Sequence, residues 1–316
     1  MRITVLAGGV GAARFLRGLK AAARDAEITV IGNTGDDITL SGLRVCPDLD
    51  TVMYTLGGGI NEEQGWGRAA ESFAVQQELA AYGAVPGWFA LGDRDIATHI
   101  VRTRMLTAGS PLSAVTEELC RRWQPGVRLL PMSDDPVETH VLIDENGSRR
   151  RIHFQEWWVR LHAGIPAVEI APAGVAQARP APGVIEAISA ADVVLFPPSN
   201  PVVSIGPILA VPGIREAVSA KTVVGVSPII GGAPVRGMAD ACLTAIGVQT
   251  SAAAVAAHYG PGLLGGWLVD EQDKAAADDP TLTGIAVRAL PLYMRDLAST
   301  ADIAAAALAL AAGIRA

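Results

Sequence analysis

The 316-residue sequence predicts an α/β fold of Rossmann-like type, a mostly parallel sheet with helices on both faces, joined to a smaller, mainly helical lobe. Three observations predict it. The chain opens with a β-rich run, a glycine turn and an amphipathic helix; strand and helix alternate again from residue 184; and the stretch between has helical texture. The main domain is therefore expected to be discontinuous, built from residues 1–59 and 184–316, with residues 60–183 inserted.

In chain order, ITVLAGG reads as a strand ending in a turn. Phe15, Leu16, Leu19, Ala22 and Ala23 then recur at helical spacing, with Arg14, Arg17, Lys20 and Arg24 mostly on the other face. EITVIGN is a second strand, so the start is a βαβ unit and the sheet is expected to be parallel. Residues 60–125 hold helical patterns such as AVQQELAAYG and DIATHIVRTRMLTAG. Residues 127–155 read as short strands, with ENGS as a hairpin turn. The Pro-, Ala- and Gly-rich segment 171–183 is a connection. Beyond it come helix GVIEAISAA, strands DVVLFPP and TVVGVSP, a helix after GGAPVRGMADACLTAIG, and a last strand in IAVRALPL. STADIAAAALALAAG closes the chain as a helix, with Ser299 and Thr300 as caps.

Composition narrows the function. Half of the residues are hydrophobic, enough for a large core, but Gly, Pro and charge keep cutting the apolar runs. The nearest membrane candidate, residues 301–314, reads as too short and contains Asp302, so no transmembrane helix is expected; nor does MRITVLAGG carry the extended apolar core of a secretory leader. Cys46, Cys120 and Cys242 are odd in number and form no CxxC pair, which fits a reducing cytoplasm and gives no zinc pattern. A net charge of −7 argues against a general nucleic-acid binder.

The glycine turn supplies Gly9-x-Gly11-x-x-Arg14, two of the three glycines of a dinucleotide fingerprint, and lacks the Lys of a P-loop. Gly8, Gly9 and Gly11 still permit a tight turn that leaves amides and a helix start open to an anion, and Arg14 on the first helical turn offers a fork to a phosphate. Two other strand ends resemble it, with Ser199, Asn200, Ser204 and Gly206 in one and Ser227, Gly231, Gly232 and Arg236 in the other. In open α/β sheets ligands sit beyond the carboxyl ends of the strands, so the three loops are expected to share one crevice.

Four aspartates, Asp36, Asp37, Asp48 and Asp50, fall within fifteen positions of a chain in which only 18% of residues are charged. Clustered carboxylates repel, and hard oxygen ligands without His or Cys suit Mg²⁺. Asp48 and Asp50, spaced i and i+2, would face one side if extended, or one of them would cap a helix at DTVMYTL. Asp37 is the one expected in solvent. A cation beside a phosphate-binding turn points to phosphoryl chemistry.

The set MRITVLAGGVGAARFL, NTGDD, CPDLDT, LGDRDIATH, LPMSDDPVETH, HFQEWWV, PPSNPVVSIGPI and SPIIGGAPVRG, in that order along nearly the whole chain, resembles the phospholactate transferase family of coenzyme F420 biosynthesis, including its phosphoenolpyruvate-using members. The resemblance implies a cytoplasmic, Mg²⁺-dependent homodimer that moves a phosphoenolpyruvyl or phospholactyl group from a guanosine-diphosphate-activated donor to the terminal ribityl hydroxyl of the deazaflavin Fo, releasing GMP; neither nucleic acid nor membrane is a partner. It casts Asp36 and Asp50 as catalytic, and Asp36, Asp48 and Asp50 as metal ligands. Gly8, Gly9, Gly11, Ser199, Asn200 and Ser204 would hold the diphosphate, and Arg94 would touch acceptor or phosphate unless it pairs with Asp93 or Asp95. His99 and His140 read first as structural. Trp157 and Trp158, placed in a strand, would point to opposite sides, leaving one at most to stack on a deazaflavin.

Two other classes compete. A nucleotide-sugar or dinucleotide-binding regulator needs no paired carboxylates beside a phosphate. A nicotinamide-dependent dehydrogenase is disfavoured by Arg14 in the third glycine position and by the lack of an acidic residue ending the second strand.

Overall fold

The computed structural model describes residues 1–84, 87–260 and 262–315. From the N-terminus run β1 (Arg2–Ala7), α1 (Gly9–Ala22) and β2 (Glu27–Gly32), the hairpin β3 (Ile38–Leu40) and β4 (Leu43–Val45), and α2 (Pro47–Leu56). Helices α3 (Ala74–Ala81), α4 (Asp93–Thr107) and α5 (Leu112–Trp123) follow, then β5 (Arg128–Pro131). Strands β6 (Glu138–Glu145), β7 (Ser148–His153) and β8 (Ala167–Ala173) form a separate antiparallel sheet in the order β7-β6-β8. The rest alternates: α6 (Val184–Ala190), β9 (Val193–Phe196), α7 (Gly206–Ala210), α8 (Ile214–Ser219), β10 (Val223–Val226), the ribbon β11 (Ile229–Ile230) and β12 (Ala233–Pro234), α9 (Ala239–Ala245), α10 (Ala252–Tyr259), β13 (Gly266–Val269), β14 (Ala286–Ala289) and α11 (Leu297–Arg315).

Seven strands make one wholly parallel sheet, ordered β14-β13-β10-β9-β1-β2-β5. Side chains alternate between its faces, and each face has its own core. Ile3, Val5, Val193, Leu195, Val224 and Val226 pack toward α1, α2 and α11, whereas Leu6, Val194, Phe196 and Val223 pack toward α6, α8 and α10. Burial on both faces explains why these strands read as unbroken apolar runs.

Strand β1 is the switch point, because the chain first builds outward to β2 and later returns on its other side with β9. The pairing Ala7↔Gly32 ends β1 and β2 at the same level, so Gly8 and Asn33 leave the sheet side by side. The loop after β9 leaves next to them. A crevice at this edge is the expected place for a ligand.

Some elements differ from the sequence reading. Strand β5, within the stretch assigned to the insertion, joins the central sheet as the neighbour of β2. The hairpin turn Asn146–Gly147 is as expected, with both residues at positive φ between Glu145 and Ser148. Helix α11 starts at Leu297, where Asp296 rather than Ser299 or Thr300 supplies the cap by accepting the Ser299 amide at 2.7 Å. It is also longer than the 301–314 stretch suggested. Residues Leu297–Ile314 are long and apolar enough to cross a membrane by length and composition; here the helix lies along α1, with Ile303, Ala304 and Ala307 buried.

Candidate functional site

The glycine turn is shaped by close approach. A Cβ on Gly8 would stand 2.5 Å from Ser204 Cβ and 2.7 Å from an Asp48 oxygen, and one on Gly11 would stand 2.2 Å from the Pro198 carbonyl oxygen. Gly9 takes φ +73°, which an L side chain disfavours. Ser199 Oγ donates to the Gly8 carbonyl at 2.9 Å, fixing the loop after β9 against the loop after β1. Ser204 is buried at Gly8. Asn200 turns to its own chain, accepting from the Val202 and Val203 amides and capping the turn Pro201–Ile205.

The helix that carries CPDLDT begins at Pro47, so neither Asp48 nor Asp50 is its cap; both lie in its first turn. Two residues apart on a helix means roughly 200° of rotation, and the extended arrangement with both on one side does not occur. Asp48 faces the glycine turn, where Oδ1 accepts the Gly9 amide at 2.8 Å and Oδ2 accepts Asn33 Nδ2 at 2.9 Å. Asn33 also donates to the Val203 carbonyl and accepts the Gly35 amide, so one buried amide ties β2, α2 and the loop after β9 together.

Asp36 stands beside Asp48. Burial, then the Asp48 charge and the Asp37 charge, push its pKa well above the carboxylate range, and its Oδ1 is buried without a hydrogen-bond partner among the described residues. Burial raises Asp48 to about 6 against the opposing bonds from Asn33 and Gly9. Two buried carboxylates with one oxygen unmatched form a place that a cation would stabilise. Mg²⁺ needs no more from a protein than one or two carboxylates, completing its shell with water and phosphate oxygens, so the pair fits that ion.

The expected trio of ligands is split, however. Asp50 faces away, in a short ion pair with buried Arg102, and no group of three His, Cys, Asp or Glu suited to a metal occurs among the described residues. Arg102 also donates to His99 Nδ1 at 3.0 Å, which makes that nitrogen an acceptor and leaves the ring proton on Nε2, 3.4 Å from Asp95. Tyr54 Oη donates to Asp95 at 2.7 Å. Burial opposes ionisation of Asp95, but His99, Tyr54 and Arg102 outweigh it and hold its pKa low. This chain joins α2 to α4 inside the protein, with His99 fully buried within it.

Asp37 is not in solvent. It is fully buried, 3.6 Å from Arg44, and burial raises it to about 7 despite Arg44, the Cys46 thiol and Arg102. The small sheet grips the same loop from below: His153 Nε2 donates to the Asp37 carbonyl at 3.2 Å, while its Nδ1 accepts the Gln155 amide. Burial lowers the His153 pKa and favours this neutral ring.

Arg94 pairs with neither Asp93 nor Asp95. It is exposed, and its guanidinium reaches the Ala69 carbonyl at 3.5 Å, while Asp93 instead caps α3 through the Ala74 and Val75 amides. His140 lies 3.5 Å from Glu138 on β6. Trp157 and Trp158 sit in the helical turn Glu156–Arg160, not in a strand. Trp157 is wholly buried and donates to the Ile165 carbonyl; Trp158 is half-buried against Phe154 and Gly237.

The structure thus brings together Gly8, Gly9, Gly11, Asp36, Asp48, Ser199 and Ser204. Asp50 stands behind them and Arg94 apart. Asn33 and Arg102 organise the site without a sequence flag of their own, since an Asn after a strand and an Arg within a helix are ordinary.

Comparison with known proteins follows the same outline. The family model described as 2-phospho-L-lactate transferase CofD matches residues 3–283. A phosphoenolpyruvate transferase of Streptomyces griseus is 69% identical over the full length of both chains, one of Thermobifida fusca is 69% identical over 98% of each, and one of Mycobacterium avium is 53% identical over 98% of this chain and 99% of its own. A crystal structure of a protein from Bacillus halodurans, 19% identical, superposes with a TM-score of 0.62 over 97% of this chain and 99% of that one, which supports the fold.

Proposed function

This chain belongs to the 2-phospho-L-lactate transferase CofD family, and from that premise we propose that it transfers a phosphoenolpyruvyl group from a guanosine-diphosphate-activated donor to the terminal ribityl hydroxyl of the deazaflavin Fo. The relatives' name favours the enolpyruvyl form over the phospholactyl one. The hydroxyl oxygen bonds to the phosphorus farther from guanosine, the bridge between the two phosphorus atoms breaks, and GMP departs with the bridging oxygen, leaving the dehydro form of F420-0.

The observation that carries this reading is the buried Asp36 and Asp48 pair set against the glycine turn, with Asp36 Oδ1 unmatched. These two carboxylates would hold Mg²⁺. Once bound, the ion would neutralise the charge that gathers on the phosphoryl oxygens. In this reading the diphosphate would lie against the turn of Gly8, Gly9 and Gly11, where the missing side chains let Asp48, Pro198 and Ser204 pack close and Ser199 holds the Gly8 carbonyl. Asp50 is held by Arg102 through Oδ1, while its Oδ2 has no hydrogen-bond partner among the described residues. We assign Asp50 to orient the attacking hydroxyl and receive its proton, which requires its side chain to turn from Arg102 and His99 toward the Asp36 and Asp48 pair. Arg94, exposed at the start of α4 and apart from the pair, would touch the acceptor or a phosphate in this reading. The working molecule is a cytoplasmic homodimer in this reading.

Incubation with Fo, Mg²⁺ and the guanylylated enolpyruvyl donor, followed by chromatography with mass detection, tests it. GMP and a more anionic deazaflavin are expected together. Neither product, with enolpyruvyl, lactyl or glyceryl donors alike, would reject the transfer.

A further inference from the structure

The loop Asn61–Arg68 crosses the first turn of α1, and the loop after β12 meets it there. The position that a Cβ on Gly65 would occupy lies 2.7 Å from Val10 Cγ1 and 3.2 Å from Arg236 Nη1, so Arg236 reaches the face of α1 that carries Val10. Arg14 stands four residues on, one turn along the same face.

Neither arginine makes an ion pair among the described residues. Arg236 is steadied by uncharged groups, the Trp66 ring at 5.2 Å from its guanidinium carbon and the Gln64 carbonyl that accepts from Nη2. Arg14 makes no hydrogen bond or ion pair among the described residues, and its charge is felt by both Glu62 and Arg236. The acidic group that could serve it, Glu62, is gripped by both Nη atoms of Arg17. Glu63 makes no ion pair either, but it sits exposed in the loop with its amide turned to Asn61. Two guanidinium groups of like charge repel, and side chains oriented by neutral partners keep their full attraction for an anion. The Gly9 amide at the start of the same helix is already taken by Asp48, so an anion arriving here is received by side chains.

We propose that Arg14 and Arg236 form an anion clamp that holds a phosphate or carboxylate group of the donor outside the Asp36 and Asp48 pair. The clamp rests on the transfer reading for the donor's identity, but not for its charge. Trp66 and Gln64 are positioning groups, and the loop Asn61–Arg68 holds Arg236 over the first turn of α1.

Calorimetric titration in the presence of Mg²⁺, with GDP and separately with 2-phospholactate, tests this without any turnover. Arg14→Gln and Arg236→Gln are each expected to weaken binding at least tenfold, with melting temperatures unchanged and with the difference shrinking as salt is added. Loss confined to GDP assigns the clamp to the nucleotide phosphates; loss confined to 2-phospholactate assigns it to the acid being transferred; loss of both assigns it to phosphate in general. Arg236→Lys should recover part of the affinity, as a charge without the fork. Wild-type affinity for both compounds in both folded glutamine variants would overturn the proposal, whether or not the transfer assay succeeds.

Discussion

Asp48 Oδ1 accepts the Gly9 amide at 2.8 Å, so a carboxylate from α2 occupies the start of α1 that, in a nucleotide-binding turn, usually greets a phosphate. A phosphate entering here meets a negative charge first. The pair of Asp48 with Asp36 makes sense when a divalent cation stands between carboxylates and phosphate, and the following consequences can be measured.

Removing one charge of the pair should separate stability from activity. Asp36→Asn removes the cost of burying an ionisable carboxyl group, so the metal-free protein at pH 8 is expected to melt about 2–4 °C higher, a shift worth roughly 1 kcal/mol. Turnover should fall at least a hundredfold, and Mg²⁺ should no longer raise the melting temperature. Differential scanning fluorimetry beside the product assay reads both.

The pH dependence of the metal-free protein follows from Asp48 and its buried neighbour Asp37. Asp48 and Asp37 lie at about 6 and about 7, against an ordinary 3.8. Because these pKa values are raised, the folded protein keeps protons that the unfolded chain has released, and stability falls as pH climbs from about 4 through 7. For Asp48 alone the loss is on the order of 3 kcal/mol. Urea denaturation at pH 5 and pH 8 in EDTA should show this decline, and millimolar Mg²⁺ should remove much of it at pH 8 only.

Much of this was legible in the sequence. Gly8, Gly9 and Gly11 announced a tight turn, and the parallel sheet followed from two strands either side of an amphipathic helix. What stayed hidden has physical reasons. GWLV, now β13, is a four-residue run between Gly265 and Asp270, too short for periodicity to separate from a buried turn. β8 runs into the 171–183 stretch expected as a connection and carries Pro172 there, yet among the described strands it pairs with β6 alone and so tolerates a missing amide. Asp48 and Asp50 look like partners at i and i+2, but Pro47 at the first helical position starts the helix early and turns them apart. Asp37 looks solvated because its partner, Arg44, returns only through the hairpin of β3 and β4.

The buried pair of Asp50 and Arg102 should behave differently from Asp36 and Asp48. Arg102→Met strands a buried carboxylate and is expected to cost about 3–5 kcal/mol. Combining it with Asp50→Asn should recover most of that stability. If Asp50 orients the hydroxyl, the double variant stays inactive although folded; a double variant with a near-normal rate would remove Asp50 from the chemistry.

Close packing at the glycine turn gives a steric test. Gly11→Ala drives a methyl group to 2.2 Å from the Pro198 carbonyl oxygen and should cost about 1–3 kcal/mol while displacing the loop that carries Ser199. Gly313→Ala, in α11 with open space around its Cβ, is the control, expected to be neutral or to stabilise by up to about 1 kcal/mol. Equilibrium denaturation compares them.

A crystal grown with GDP and Mn²⁺ in place of Mg²⁺, measured at the manganese absorption edge, is the most direct examination of the cation seat. The expected result is one anomalous peak within about 2.2 Å of oxygens from both Asp36 and Asp48 and of a phosphate oxygen. A nucleotide bound with no peak at that pair, the two carboxylates sharing a proton instead, would contradict it.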